Sequence, residues 1–170
     1  MRILLLALAV GFACADSQIN PARINGEWRS IAEAADNVEK IQEGGPLRAY
    51  LRSLNCFQGC RKLSVNFYVK LNEDWREFSV LSEKRPSDGV YTAVYSGQNF
   101  FNISSPDDGI TVFSSTNVDE NGRRTRLLLL GARKDSLTQA EESKFRQLAV
   151  ENGIPEENIV NLADSDTYPN

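Results

Sequence analysis

The sequence predicts an all-β barrel or sandwich carrying one C-terminal helix. Short apolar segments broken by turn residues recur about every ten residues from 25 to 130. Within these segments apolar and polar residues alternate, the period of a strand with one buried face. After residue 135 the pattern changes to a capping box followed by an apolar stripe at helical spacing.

The strands follow in order. "RAYLRSL" precedes a cysteine-bounded turn. "KLSVNFYVKL" places Leu63, Val65, Phe67 and Val69 on one face, with Ser64, Asn66, Tyr68 and Lys70 on the other. "REFSVLSEK" puts Phe78 and Val80 together. "GVYTAVYSG", "NFFNIS" and "GITVFSSTNV" come next, and Asn121-Gly122 marks a hairpin before "RRTRLLLL". Thr138 with Glu141 three residues on opens the helix, and Phe145, Leu148 and Ala149 form its apolar stripe. Gly153 suits its end and Pro155 blocks its continuation. "ENIVNL" is expected to add a short strand or strap, and "ADSDTYPN" to fray. Nothing repeats and no low-complexity linker appears, so one core is expected.

The chain opens "MRILLLALAVGFACADSQ", of which residues 1–15 read as a secretory leader. Arg2 supplies the positive end, Ile3 to Val10 the short apolar run, and Ala13-Cys14-Ala15 the small-residue cleavage site. The expected division is a signal peptide over 1–15 and a single mature domain over 16–170. The apolar run is well short of the roughly 20 residues a bilayer span requires, so membrane insertion is not expected. The net charge of −4 argues against nucleic acid, whose phosphates call for a basic face.

Of the three cysteines, Cys14 leaves with the leader. Cys56 and Cys60 remain, four residues apart in "LNCFQGCRK". The chain has no histidine. Two thiols alone do not complete the four-ligand set of structural zinc, and a redox pair is more often spaced C-x-x-C. In an oxidising compartment the pair reads as a disulfide. So short a loop makes it worth only about 2 kcal/mol on the chain-entropy model.

"INGEWRS" contains Gly26-Glu27-Trp28, which resembles the G-x-W element opening the first strand of lipocalins. "TNVDENG" (116–122) resembles that family's second conserved segment, and "LLLGARKDSLTQAEESKF" (128–145) its third. "AADNVEKIQEGGPLRAYLRSLNC" (34–56), the C-F-Q-G-C spacing and "ENGIPEENIVNL" (151–162) resemble the odorant-binding subgroup, which includes aphrodisin-like pheromone carriers and animal-secretion allergens. The resemblance spans essentially the whole mature chain. It implies an eight-stranded antiparallel up-and-down barrel with the helix on its outside. Many members also tie the fourth strand to the C-terminal tail with a disulfide. At the matching positions this chain has Trp75 and Tyr168, so that bridge is absent and the tail is expected to be more mobile.

The resemblance, with strand parity, implies a ligand-binding face of Leu47, Ala49, Leu51, Val65, Phe67, Val80, Tyr95, Asn99, Phe101, Phe113, Ser115, Leu127 and Leu129. Only Tyr95, Asn99 and Ser115 among them offer hydrogen bonds. Such a lining suits a small hydrophobic ligand, a volatile odorant or pheromone, with no cofactor and no metal. Gly26 and Trp28 are expected to be structural, with Trp28 closing the barrel floor under Arg133 or Lys134 as a cation–π partner. Glu33 stands where the family tends to have an aliphatic residue, and is expected to face water at a barrel end. Asn102-Ile103-Ser104 is a glycosylation sequon on the outward face.

An enzyme is disfavoured. Histidine-dependent nucleophile systems are impossible without histidine, and no carboxylate spacing singles out a pair. A scaffold acting through protein–protein or receptor contacts is the alternative, because fold does not dictate function. The carrier would work as a monomer or a homodimer.

Overall fold

The computed structural model describes residues 19–106 and 108–168. The expected leader and cleavage site, with Cys14, lie outside the described residues. A single helical turn, α1 (Pro21–Ile24), leads into β1 (Gly26–Glu27) and β2 (Arg29–Ala35). A 3-10 turn (Val38–Lys40) precedes β3 (Tyr50–Phe57), β4 (Lys62–Leu71), β5 (Asp74–Lys84), β6 (Tyr91–Val94), β7 (Gln98–Ser104), β8 (Ile110–Val118) and β9 (Arg124–Ala132). Helix α2 (Gln139–Glu151) and a short β10 (Ile159–Asn161) follow.

All pairings are antiparallel, and β3 to β9 pair in chain order. β1 and β2 are one strand interrupted at Trp28. Its first part pairs with β3 (Gly26 opposite Leu54) and its second with β9 (Ala34 opposite Leu128). One kinked strand thus joins both edges of a seven-stranded meander, giving the expected eight-stranded barrel. Closure leaves no long free edge to template aggregation. β10 adds to the outer edge of β2, with Val160 opposite Glu33.

The kink is held from both sides. Trp28 is 1% exposed, and its indole Nε1 donates to the Ile24 carbonyl at 2.6 Å. Arg133 lies over the indole face, 4.1 Å from the guanidinium carbon to the ring centroid. Its Nη atoms donate to the carbonyls of Glu27, Arg23 and Asn25. Gly26 has φ +114°, and a Cβ there would sit 2.9 Å from an Arg133 Nη atom. Only glycine fits both the backbone and the guanidinium. Lys134 points elsewhere, donating to both Glu141 carboxylate oxygens.

Helix α2 starts as expected. Thr138 Oγ1 accepts from the Glu141 N–H, and Glu141 accepts from the Thr138 N–H. Gly153 follows the helix at φ +76°. Phe145 and Ala149 are buried against Ile31, Ala34, Ile110, Val112, Leu128 and Leu130. These strand residues face outward from β2, β8 and β9, so the helix covers the outside of the barrel. Cys56 and Cys60 are joined as a disulfide, and the Tyr91 hydroxyl donates to the Cys60 carbonyl.

Residues 163–168 of the C-terminal segment make specific contacts with the barrel. Asp166 takes two hydrogen bonds from Arg52, at 2.7 and 2.8 Å, and its side chain is 7% exposed. Ser165 Oγ meets the Tyr50 hydroxyl and Arg48. Tyr168 stacks on Tyr68 (4.4 Å between centroids) and meets Trp75 edge-on at 5.6 Å. An aromatic contact therefore joins the two positions at which the family resemblance implied a missing disulfide. These contacts run against the expectation of a mobile tail: a polar-looking string meets specific partners on β3, β4 and β5. Tyr168→Ala should lower stability by about 1 kcal/mol in urea unfolding and speed hydrogen exchange over 163–168. Unchanged exchange there would show that the rings do not anchor the tail.

Candidate functional site

Side chains from β3 to β9 converge inside the barrel because paired residues of an antiparallel sheet share a face. Val65 faces Val80, Phe101 faces Ser115, Phe113 faces Leu129 and Ser115 faces Leu127 across the ladders. Together they enclose a cavity of about 110 Å³. It is lined by Leu47, Leu51, Val65, Phe67, Val80, Tyr95, Asn99, Phe101, Phe113, Ser115, Leu127 and Leu129, with Ser82 and Ala93.

Twelve of the thirteen positions expected to face a ligand lie on this wall. Ala49 does not. It precedes β3, and its backbone ties the barrel together: its N–H donates to Glu33 and its carbonyl accepts from Ser30 Oγ. Ser82 and Ala93 are additions. Both follow from the alternation already visible in the sequence, since Ser82 is two residues past Val80 and Ala93 two before Tyr95. Their small or polar side chains do not announce an apolar wall, which is why pattern reading passes over them.

Aromatic rings shape one end of the space. Phe67 stacks with Phe78 at 5.6 Å, and Tyr95 meets both edge-on at 5.0 and 4.9 Å. The 36–49 connection folds over this end. Ile41 and Leu47 pack with Ala35, Tyr95, Leu127 and Val160, and the Tyr95 hydroxyl donates to the Pro46 carbonyl at 2.6 Å. At the other end Trp28, Leu54, Leu63, Tyr91 and Ile103 are packed in the core.

Two of the four polar side chains of the wall are already engaged. Asn99 donates to the carbonyls of Ala93 and Tyr95 and accepts from Asn117. Tyr95 is committed to Pro46. Ser82 is different: it is 0% exposed, and its hydroxyl meets no hydrogen-bonding group of the protein.

Glu33 overturns the expectation that it faces water. It is 0% exposed and pairs across the ladder with inward-facing Leu129. One carboxyl oxygen accepts from the Ala49 N–H at 3.2 Å and the other has no partner in the protein. Burial holds its pKa well above the usual 4.5, against the opposing pull of the Ala49 N–H and of Arg48. The carboxyl is thus driven toward its neutral form. Glu33 in turn adds to the burial that pushes the Tyr95 phenol up to about 12. Pairing alone cannot reveal this inward turn, because a bulge between Ser30 and Ala32 resets the parity of β2.

Asn102 of the sequon is exposed on the outer face of β7. Among the described residues no cluster of three or more His, Cys, Asp or Glu side chains could hold a metal ion, and no helix is long and apolar enough to cross a membrane. A roomier groove of about 340 Å³ lies between α2 and the barrel, walled by Lys144, Glu151, Phe145 and Leu148. Its rim is charged and exposed.

The family model of the lipocalin and cytosolic fatty-acid-binding proteins matches residues 25–166. The chain belongs to this family. An odorant-binding protein of Rattus norvegicus is 42% identical over 170 residues, covering 98% of both chains. The crystal structure of aphrodisin, a sex pheromone from female hamster, superposes with a TM-score of 0.83 at 34% identity, covering 86% of this chain and 99% of that one. Bovine odorant-binding protein in complex with undecanal superposes at 0.64, with 33% identity and coverage of 90% and 97%.

Burial of Glu33 has a consequence for stability. Its folded pKa is raised, so the folded chain keeps a proton that the unfolded chain loses above about 4.5. Its contribution to stability is therefore fully present below that value and is lost as pH rises toward the folded pKa. Glu33→Gln should remove this segment of the pH dependence. In urea unfolding the variant should gain on wild type progressively between pH 4 and pH 8, and a difference independent of pH would refute the assignment.

Proposed function

We propose that the protein is a secreted carrier of small, neutral, hydrophobic volatiles, odorants or pheromones, held in the barrel interior. The observation that carries this reading is the cavity wall: ten of its fourteen residues are apolar, and it lies among buried side chains of a barrel shared with relatives named for odorant binding and for pheromone activity. The undecanal complex of the bovine protein supports the chemical class. The leader-like N-terminus and the disulfide fit passage through an oxidising compartment.

Burial of apolar surface, at about 25 cal/mol per Å², drives entry. A guest of about ten heavy atoms would need about 0.8 kcal/mol per atom for micromolar binding, within the known limits of ligand efficiency. The cavity, at about 110 Å³, is small beside the roughly 300–1,000 Å³ of drug-sized sites. It therefore favours compact volatiles over fatty acids, and longer guests require the rings of Phe67, Phe78 and Tyr95 to turn aside. Catalysis finds little support here. There is no histidine, and Cys56 and Cys60 are joined to each other, so neither offers a free thiol nucleophile.

A fluorescent apolar probe should bind once per barrel and be displaced by medium-sized aldehydes, ketones and alcohols. Phe101→Trp, which adds bulk to the wall, should weaken the displacing ligands about tenfold, as expected for about 1.4 kcal/mol of overpacking. Failure of folded protein to take up any apolar probe would instead favour a scaffold working through its outer surface.

A further inference from the structure

We propose that Ser82 is the polar anchor of the cavity, and that the preferred guests are neutral molecules presenting one oxygen acceptor to its hydroxyl. This rests on the carrier reading and narrows the ligand class within it.

Four side chains on the wall carry polar groups: Ser82, Tyr95, Asn99 and Ser115. The Tyr95 hydroxyl donates to Pro46. Both ends of the Asn99 amide are engaged, its Nδ2 by two carbonyls and its Oδ1 by Asn117. Ser115 is only partly buried, so its hydroxyl carries less of the desolvation cost that falls on a fully buried one. Ser82 alone is fully buried, borders the cavity and has no protein partner.

An orphaned hydroxyl in the middle of a strand is a standing cost to the fold, since desolvation is not offset by a bond. Its surroundings offer no local remedy. Val80 precedes it on the wall, Leu63 faces it across the ladder and Ala93 lines the cavity with it. The hydroxyl has no accessible surface, so a guest oxygen meets it only when a neighbouring wall side chain turns aside; the oxygen then accepts the hydroxyl proton in an apolar setting, where a hydrogen bond is worth more than in water. An alkane of the same size would leave the hydroxyl as it is. Selectivity then comes from the difference between the two guests rather than from apolar burial, which they share.

The geometry also sets orientation. A guest with its oxygen at Ser82 directs its hydrocarbon part toward Phe67, Phe101, Phe113 and Leu129. Ketones, aldehydes and alcohols satisfy this arrangement, and a carboxylate does not, since a charge would lie in an apolar chamber without a counterion.

The test uses the mature protein and a fluorescent apolar probe displaced by 2-octanone and by n-octane, in wild type, Ser82→Ala and Ser115→Ala. Wild type should prefer the ketone. Ser82→Ala should lower ketone affinity about two- to tenfold, the range of one net hydrogen bond, leave octane unchanged and keep or raise the melting temperature. Ser115→Ala should keep the wild-type preference. As a second readout, the carbonyl stretch of bound carbon-13 2-octanone should lie at lower frequency in wild type than in Ser82→Ala. An unchanged ketone-to-octane ratio and an unchanged stretch in Ser82→Ala overturn the anchor while leaving the carrier standing. Failure of wild type to bind either guest overturns the carrier reading itself.

Discussion

The structure depends on the closure made at Trp28. One strand pairs with β3 before this residue and with β9 after it. That change of partner turns a sheet into a barrel, and a barrel has an inside. The indole is clamped by the Ile24 carbonyl along its edge and by the Arg133 guanidinium over its face. Arg133 also binds three backbone carbonyls around the kink, in space that Gly26 leaves open by lacking a side chain. Packing, a cation–π contact and charge-assisted hydrogen bonds thus act on the same few residues.

With closure in place, the interior is shaped by two opposed demands. Alternate side chains must be apolar to hold the sheet together, and they must leave room. Bulky rings at Phe67, Phe101, Phe113 and Tyr95 meet the first demand and nearly exhaust the second, which accounts for a cavity of only about 110 Å³. Two polar groups stand against the apolar grain. Glu33 is buried with half its carboxyl unpartnered, and Ser82 is buried with none of its hydroxyl partnered. Each costs stability in a place where a hydrocarbon side chain would not. The tail compensates in part: Asp166 on Arg52, and Tyr168 on Tyr68 and Trp75, fasten the C-terminus without a second disulfide.

Much of this was legible in the residues themselves. The alternation of Leu63, Val65 and Phe67 names an inner face, and β4 presents it as expected. Thr138 and Glu141 mark the helix start to the residue. Family likeness then supplied closure, which no local pattern states, and with it twelve of the wall positions. Reading stopped short where a side chain did not advertise its place. Ser82 and Ala93 are too polar or too small to stand out. Resemblance and strand parity together place Ala49 on the wall, yet its backbone serves as a brace between Ser30 and Glu33.

By itself the sequence determined what is periodic and local: strands from alternation, the helix from its capping box, the Cys56–Cys60 bridge from nearness along the chain and the want of other ligands. Those follow from interactions a few residues long. Only the tertiary structure decided whether Glu33 meets water, whether Arg133 or Lys134 covers Trp28, and whether the tail hangs free. Each of these turns on partners that are distant along the chain: Glu33 on Ala49 and Leu129, Trp28 on Arg133, Tyr168 on Tyr68 and Trp75. Such partners come together only when the sheet closes, and no spacing along the sequence encodes the distance between them.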